Sequence, residues 1–396
     1  MTETESTTAT PTPDALASVL ADAPFVRLVA ADDGDSVAAA GTLAGALRKR
    51  GVPFQVRVSR DPVPDAPDDE VAVTVGGRGG ARATESASAT HGIGGTKRPA
   101  SATAFAVARE LGGDPDPVTV LAGSVAAGSV PGADGTSDAL DAAELAGQVT
   151  RRPGVAIPTA DLADGLSAST LLRAPYSGDP EAARAAVAAL DLPAALDDDA
   201  HRRLASLVAV DTAAAEGASD RAPAAIECAL RPYAIEDGKT PFETVGGYAD
   251  VLGALAREAP GTGVALTLAS NPSDGLVTAA RDAWREHGLA AHRALADATT
   301  GRYDGCVVAR VDATTGTLPT VARLLREFRS PEPIAIALDE SSGAIAAAAT
   351  EPVGLGDVCR SVAAELGGDG WGTETRGGLE PTGDPTDALA ALREAV

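Results

Sequence analysis

The chain has 396 residues, with 32 Lys and Arg against 56 Asp and Glu, which gives a formal net charge of −24 at pH 7. Such acidity normally disfavours nucleic acid as a partner, but it is also typical of proteins from salt-adapted organisms, in which local arginine clusters are the diagnostic feature. Hydrophobic residues make up 44% of the chain, and this fraction over 396 residues predicts two packed domains. The sequence shows neither a membrane span nor a cationic secretory start. We therefore expect a cytoplasmic protein with no membrane partner.

The N-terminal half predicts a parallel sheet. Residues 1–20 are expected to form a disordered tail, because the opening residues are mostly Thr, Glu, Ala and Pro. Short apolar or β-branched runs then predict strands at 25–30, 54–59, 71–75 and 118–125, and helical spacing predicts helices at 37–50 and 100–111. Strands that alternate with helices favour a parallel sheet with crossover helices.

The rest of the chain predicts a helical stretch and then a second α/β unit. Residues 139–255 are mainly helical in pattern, with breaks at prolines. Beyond residue 261 the pattern predicts strands at 264–268, 305–311, 333–338 and 344–349, and helices at 274–287 and 317–328. Residues 367–372, Gly-Gly-Asp-Gly-Trp-Gly, are predicted to be a glycine-rich loop.

An acidic turn follows the first predicted strand. Asp32, Asp33 and Asp35 flank Gly34 between that strand and an alanine-rich helix. Ligands bind at the carboxyl ends of strands in open α/β sheets, and three carboxylates there could hold a divalent cation that acts on a phosphate. The alternative is that the aspartates cap the helix near Ser36.

Two arginine-bearing segments are candidates for contact with nucleic acid. The loop that begins at Gly76 carries Arg78 and Arg82, and is either a phosphate cradle or a flexible turn. Trp371 and Arg376 either stack on and clamp a single strand, or the tryptophan is structural. His287 and His292, five residues apart, are interpreted as surface residues.

Several segments, in order, resemble the DHH/DHHA1 phosphoesterase superfamily, and specifically its archaeal RecJ-like exonuclease branch. The resemblance covers nearly the whole chain. The matching segments are Asp33-Gly34 with the helix after it, 165–170, 176–179, Thr240-Pro241-Phe242, 248–257, 303–308 and the glycine-rich run 367–372.

The metal motifs of that family are degenerate in this chain. Gly76-Gly77-Arg78 stand where the family has Asp-His-His, and Ala127 stands where a later motif has its aspartate. In the first motif Val29 and Ala31 replace a histidine and an aspartate, which leaves Asp33 as the clear survivor. Asp32 and Asp35 could compensate by a shift, joined by Glu85 or Asp134, and Thr373 stands where the DHHA1 loop has a histidine.

The resemblance implies an α/β architecture in two parts. A parallel-sheet DHH domain with crossover helices would span 21–215, a helical connector 216–258 and a smaller α/β DHHA1 domain 259–396, with a groove between the domains. The DHHA1 loop approaches the nucleic acid backbone in the family. Gly370, Trp371, Gly372 and Arg376 therefore join Arg78 and Arg82 as the predicted nucleic-acid-binding residues.

The degenerate motifs predict a RecJ-like protein of DNA replication or repair without metal-dependent nuclease activity. We expect no catalytic residues and no cofactor, with Asp33, Asp32 and Asp35 as remnants. The family implies single-stranded nucleic acid, and GINS or another replisome protein, as partners, since an inactive RecJ-like subunit sits in the eukaryotic replicative helicase. Two alternatives stay open: an active single-strand 5′–3′ exonuclease that uses Mn²⁺ or Mg²⁺ at Asp32, Asp33 and Asp35, and an unrelated small-molecule enzyme.

Overall fold

The structure, a computed structural model, describes residues 12–62, 70–77, 90–95 and 98–396. These form two compact units, one from the described residues of Met1–Gln148 with Ala259–Val277 and the other from Val149–Glu258 with Thr278–Val396. Residues 259–277, which the sequence assigns to the start of the DHHA1-like domain, therefore pack with the first unit.

The regular elements of the described residues follow in chain order. The helices are Pro13–Asp22 (α1), Gly34–Arg50 (α2), Ala100–Glu110 (α3), Pro117–Ala126 (α4), Ser137–Leu145 (α5), Leu162–Ala168 (α6), Pro180–Ala188 (α7), Asp198–Ala213 (α8), Ala222–Glu227 (α9), Val245–Glu258 (α10), Pro260–Leu268 (α11), Asp274–Ala296 (α12), Leu318–Leu324 (α13), Leu355–Leu366 (α14) and Pro385–Ala395 (α15), and a π-helix spans Leu325–Arg329. The strands are Val26–Ala31 (β1), Phe54–Ser59 (β2), Val71–Val75 (β3), Thr90–Ile93 (β4), Val149–Arg151 (β5), Tyr233–Ile235 (β6), Thr299–Tyr303 (β7), Cys306–Val311 (β8), Ile334–Asp339 (β9), Ile345–Ala349 (β10), Gly368–Gly372 (β11) and Arg376–Pro381 (β12).

The first unit contains the predicted parallel sheet. Its four strands run in the order β2-β1-β3-β4, and every neighbouring pair is parallel. Strand β1 is central, and Leu28 packs there in one apolar core with Leu43 and Leu47 of α2. The first three predicted strands and the two predicted helices of this region are confirmed.

The predicted disordered tail is wrong from residue 13 onward. Helix α1 occupies Pro13–Asp22, and its Leu16 and Leu20 are fully buried in the core of the first unit. Pro13 at the first helical position fits a helix start, where the missing N–H costs no hydrogen bond. Apolar residues spaced four apart give the helix one face that packs on the core.

Two predicted strands are helices. The run 118–125 lies in α4. Asp116 caps the start of this helix, because its carboxylate accepts hydrogen bonds from the N–H groups of Val118 at 3.2 Å and Thr119 at 3.0 Å. The run 264–268 lies in α11, which begins at Pro260. A short apolar run has too little periodicity to separate strand from helix, and in α11 only Gly263 and Leu266 are buried.

The second unit is built on a six-stranded mixed sheet in the order β11-β12-β10-β9-β8-β7. Strands β8 and β9 are parallel and the other neighbours antiparallel. One face packs against α13 and the π-helix, with Val321 and Phe328 in that core, and the other against α14 and α15, with Cys359 and Leu389. Strands β5 and β6 form a separate antiparallel pair.

The glycine-rich run 367–372 is not a loop. Residues Gly368–Gly372 form β11 and pair in antiparallel register with β12. Its glycines are required by a close approach of backbone: a Cβ on Gly370 would lie 2.3 Å from the carbonyl oxygen of Cys359 in α14. The composition of the run therefore reflects packing of a helix directly onto a strand.

Candidate functional site

The carboxyl edge of the four-stranded sheet carries the acidic turn. Strand β1 ends at Ala31, Asp32 follows it half-buried, and Asp33 is the N-cap of α2. The Asp33 carboxylate accepts a hydrogen bond from the N–H of Ser36 at 2.9 Å. For Asp33, the structure thus shows the helix-capping arrangement, which satisfies a backbone N–H that has no partner within the helix.

Asp35 holds the start of a second helix. Its side chain is buried at 7% exposure, and its carboxylate oxygens accept hydrogen bonds from the N–H groups of Ala100 at 2.6 Å and Ser101 at 3.0 Å. Pro99, the N-cap of α3, makes no side-chain capping bond. Burial, together with the negative charge of Asp33, raises the pKa of Asp35 to about 6.

The neighbouring strand ends leave no room for side chains at this edge. Gly76 follows β3 with φ of +75°, and a Cβ there would lie 1.9 Å from Oγ of Ser36. Gly94 follows β4, and its Cβ would lie 2.9 Å from Cβ of Ala100. Gly76, which the resemblance aligns with the first position of an Asp-His-His segment, is therefore held in close packing with small residues.

The described residues at this edge do not fit a two-metal centre. Such a centre needs several carboxylate and imidazole ligands that converge from different strands. Within the described ranges, no group of three or more His, Cys, Asp or Glu residues is placed to hold a metal ion. Asp134 accepts a hydrogen bond from Oγ of Ser129 at 2.7 Å. The predicted residues Arg78, Arg82 and Glu85 lie outside the described residues.

The segment predicted to be a later degenerate motif does not end a strand. Ala127, which the resemblance aligns with an aspartate of the family, is the C-cap residue of α4. Its N–H donates to the carbonyl of Gly123. The sequence predicted that this motif follows a strand. Because the run before it is a helix, Ala127 lies at a helix end instead.

A second candidate site lies on the β11–β12 hairpin of the second unit. Trp371 pairs with Gly378 across the hairpin, and a Cβ on Gly378 would lie 2.5 Å from the indole ring. Arg376 lies two residues from Gly378 on the same strand, so it shares the face of Trp371. Trp371 and Arg376 are thus a half-buried diagonal pair on one face of the sheet, a separation that long side chains can bridge.

A further arginine, Arg326 of the π-helix, lies close enough to Arg376 to feel its charge, and it is ion-paired with Glu327. Nη1 of Arg326 donates to the carbonyl of Ala349 at 3.1 Å. Burial is the main cause that lowers the pKa of Arg326, and the charges of Arg323 and Arg376 add to it. The charge of Glu327 acts in the opposite direction. Gly370 and Gly372, also predicted to bind nucleic acid, are strand residues; a Cβ on Gly370 would meet the backbone of α14.

Sequence reasoning missed a buried polar network in the second unit. Asp250 of α10 is 7% exposed and accepts from the N–H of Thr170 at 3.0 Å and from Nε1 of Trp284 at 2.8 Å. Nη2 of Arg323 donates to Oγ1 of Thr170 at 2.7 Å. The available signal was an aspartate within the otherwise apolar run of α10, since a buried carboxylate must find donors.

The interpretation of His287 and His292 as surface residues is wrong. His292 is fully buried, and its Nε2 donates to the carbonyl of Ser169 at 2.9 Å while burial lowers its pKa to about 3. His287 is 3% exposed, with Nδ1 2.9 Å from a carboxylate oxygen of Glu258 and Nε2 2.9 Å from Oγ1 of Thr320. Both rings join α12 to other elements of the second unit.

Solved structures of several proteins share this fold. CDC45 from Entamoeba histolytica superposes with a TM-score of 0.57 at 8% identity over 97% of this chain and 98% of that chain. RecJ in complex with Mn²⁺ from Thermus thermophilus gives a TM-score of 0.53 at 12% identity over 97% of this chain and 53% of that chain. A manganese-bound exonuclease RecJ gives 0.52 at 12% identity over 98% of this chain and 94% of that chain. The protein therefore has a DHH/RecJ-like fold.

The sequence relatives give the family. Residues 298–394 match the family model described as "Uncharacterized protein rrnAC1427, C-terminal domain". Over 400 residues the chain is 46% identical to the uncharacterized protein rrnAC1427 of Haloarcula marismortui, with 99% of this chain and 98% of the relative covered. The chain belongs to the rrnAC1427 family.

Proposed function

We propose that this chain is a RecJ-like protein of DNA replication or repair that lacks metal-dependent nuclease activity and acts as a single-strand-binding or scaffolding subunit. The observation that supports inactivity is the engagement of the acidic turn in helix capping. Asp33 binds the start of α2 and Asp35 that of α3, and Gly76 packs on Ser36 where the family has a ligand. Carboxylates held this way have fewer free lone pairs for a metal ion.

The hairpin face supports strand binding. An indole offers a stacking surface for a base, and a guanidinium binds the phosphate beside it. Trp371 and Arg376 share one face of the β11–β12 hairpin, with Arg326 close to Arg376. Arg326 is paired with Glu327, so Arg376 is the cation that this proposal assigns to the phosphate beside the stacked base.

The proposed protein partner is GINS or another replisome component. The support is the match to CDC45 along 97% of this chain and 98% of that structure. We propose a cytoplasmic protein without a cofactor. Within the described residues, no helix combines the length and the apolar character that a bilayer crossing requires.

A nuclease assay with a parallel binding assay tests this function. The substrates are 5′-labelled single-stranded DNA and RNA in molar KCl with Mn²⁺, and the variants are Asp33→Ala for cleavage and Arg376→Gln for binding. Arg202→Gln is the matched control, because Arg202 is an exposed arginine of the same unit that pairs with Asp198 and Asp199. We expect no cleavage, and strand binding that Arg376→Gln weakens and Arg202→Gln leaves unchanged.

Cleavage by the wild type that Asp33→Ala abolishes would contradict the proposal. It would identify an active 5′–3′ exonuclease that uses Mn²⁺ or Mg²⁺ with a shifted ligand set. Absence of both cleavage and strand binding would leave protein scaffolding as the remaining role, which co-purification with purified GINS then tests.

A further inference from the structure

Two arginines of the second unit reach backbone carbonyls in the last turn of α12, which itself carries a third arginine. Nη1 of Arg173 lies 3.4 Å from the carbonyl oxygen of His292, and Nη1 of Arg329 donates to the carbonyl of Leu295 at 2.9 Å. Arg293 belongs to the same turn. Because residues 292 and 295 are only about 4.5 Å apart along a helix axis, the guanidinium groups that bind their carbonyls are close neighbours.

The third guanidinium is held beside a glycine. Nε of Arg293 donates to the carbonyl of Gly178 at 3.0 Å, and a Cβ on Gly178 would lie 3.0 Å from Cβ of His292. Arg293 is exposed, while Arg173 and Arg329 are half-buried. The hydrogen bond through Nε leaves both Nη groups of Arg293 without a hydrogen-bond partner among the described residues, so they are available to a ligand.

We call Arg173, Arg293 and Arg329 the arginine cluster. Among the described residues no carboxylate pairs with any of the three. The nearby Asp179 is engaged elsewhere, since it caps α7 by accepting from the N–H groups of Glu181 and Ala182. In a chain with 56 acidic and 32 basic residues, three neighbouring arginines without an acidic partner are unexpected on charge alone.

Helix capping accounts for only part of this arrangement. A helix C-terminus carries roughly half a negative elementary charge, which a single guanidinium already offsets. Three guanidiniums exceed that half charge, although Asp297, whose N–H donates to the carbonyl of Arg293 at 3.0 Å, adds one negative charge at the same helix end. Burial is the main cause that lowers the pKa of Arg173 to about 10, and the charge of Arg329 adds to it.

We propose that the arginine cluster binds a phosphate group. Guanidinium forks match phosphate oxygens in geometry and charge, and an anion in this position offsets the repulsion between Arg173 and Arg329. That the phosphate belongs to a nucleic acid backbone rests on the proposed function; a free phosphate or a nucleotide offers the same chemistry.

The test titrates the full chain with inorganic phosphate by calorimetry, and with a fluorescein-labelled oligo-dT strand by anisotropy, both in potassium chloride. Arg293→Gln is the main variant, because Arg293 is exposed and its loss removes a single hydrogen bond to the protein. Arg329→Gln is the second variant, Arg202→Gln the matched control, and circular dichroism checks that each remains folded. We expect Arg293→Gln to weaken phosphate binding about tenfold, the loss that corresponds to ~1.4 kcal/mol, and Arg202→Gln to leave it unchanged.

The two ligands separate failure of the site from failure of the proposed function. Phosphate binding that Arg293→Gln weakens supports the site; if the strand behaves in the same way, its backbone is the source. Phosphate binding of this kind without strand binding by the wild type supports the site with a free phosphate and counts against strand binding. No phosphate binding by the wild type, or phosphate binding that neither Arg293→Gln nor Arg329→Gln weakens, overturns the site even where the strand still binds.

Discussion

Asp35 is a buried carboxyl group whose two hydrogen bonds join elements far apart in the sequence. It lies in the first turn of α2, and its acceptor oxygens bind the start of α3, 65 and 66 residues further along the chain. The capping role of Asp33 is local and was predictable from Asp and Ser at a helix start. The bond of Asp35 was not, because sequence periodicity does not show which helix start will pack beside it.

The raised pKa of Asp35 predicts a pH window for stability. The ordinary aspartate pKa of 3.8, which applies to the unfolded chain, rises to about 6 in the native state, so between these values the native state holds a proton that the unfolded state has released. Stability from this group is therefore present below about pH 4 and is lost as the pH rises through 6, by roughly 3 kcal/mol in total. Urea unfolding at pH 4 to 7 should show this loss in the wild type and its absence in Asp35→Asn.

A second variant checks the physical cause. Asp33→Ala removes the charge that adds to the effect of burial on Asp35. The window in this variant should end at a lower pH than in the wild type, and the loss of the cap should cost about 1 kcal/mol at every pH. If the difference in unfolding free energy between the wild type and Asp35→Asn does not change with pH, the assignment of the window to Asp35 is wrong.

At the scale of whole elements, the contact of α14 with the β11–β12 hairpin depends on glycine. A Cβ on Gly370 would lie 2.3 Å from the carbonyl oxygen of Cys359 and 2.8 Å from Cα of Arg360, so backbone has to move to accept it. Gly356 of α14 makes the reciprocal approach to Gly372. Helix and strand therefore meet through main chain on both sides.

Gly370→Ala should destabilise the protein by about 1–3 kcal/mol, the usual cost of an extra methyl group in a closely packed site. The matched control is Gly253→Ala in α10, where an added Cβ meets no atom within 4 Å. That substitution should stabilise the helix by about 0.5–1 kcal/mol. Urea unfolding of both variants measures these changes in the free energy of unfolding. If Gly370→Ala leaves that free energy unchanged, α14 is free to shift.

The sequence predicted some of these elements correctly and missed others. Strands β1, β2 and β3 and helices α2 and α3 were predicted because apolar runs alternated with helical spacing in the order of a parallel sheet. Helices α4 and α11 were not predicted, because each is an apolar run whose helical start depends on a proline. The start of α4 depends also on the Asp116 cap. Strand β11 was hidden because glycine is depleted from strands in general and is selected here by the helix above it.

In the whole molecule, residues that are consecutive in the chain do not all pack in the same compact unit. Residues 149–258 and 278–396 form one unit, while 259–277 return to the other. In that return, Nη2 of Arg48 in α2 donates to the carbonyl of Leu268 at the end of α11. Resemblance in linear order predicted the fold class, but a boundary at residue 258 could not show this return, because it is set by tertiary contacts of α11 with α2.

The charge of the whole molecule predicts that salt stabilises it. With a net charge of −24, carboxylates repel one another in the compact state more than in the unfolded chain, and added ions screen that repulsion as the Debye length falls from about 10 Å at 0.1 M to about 3 Å at 1 M. The midpoint of thermal unfolding should rise steeply across this range of KCl. Equal ionic strengths of KCl and NaCl should act alike, because screening does not depend on which monovalent cation is added.

A triple variant tests whether excess negative charge is the cause of this salt effect. Glu110, Glu365 and Glu394 are exposed near the C-terminal ends of α3, α14 and α15, where a negative charge also opposes the helix dipole. Changing all three to Gln should raise the unfolding midpoint at 0.1 M KCl and reduce the further gain on going to 1 M. Thermal unfolding by circular dichroism measures both quantities, and an unchanged salt gain would show that the effect arises from ion binding or from hydrophobic salting-out instead of charge repulsion.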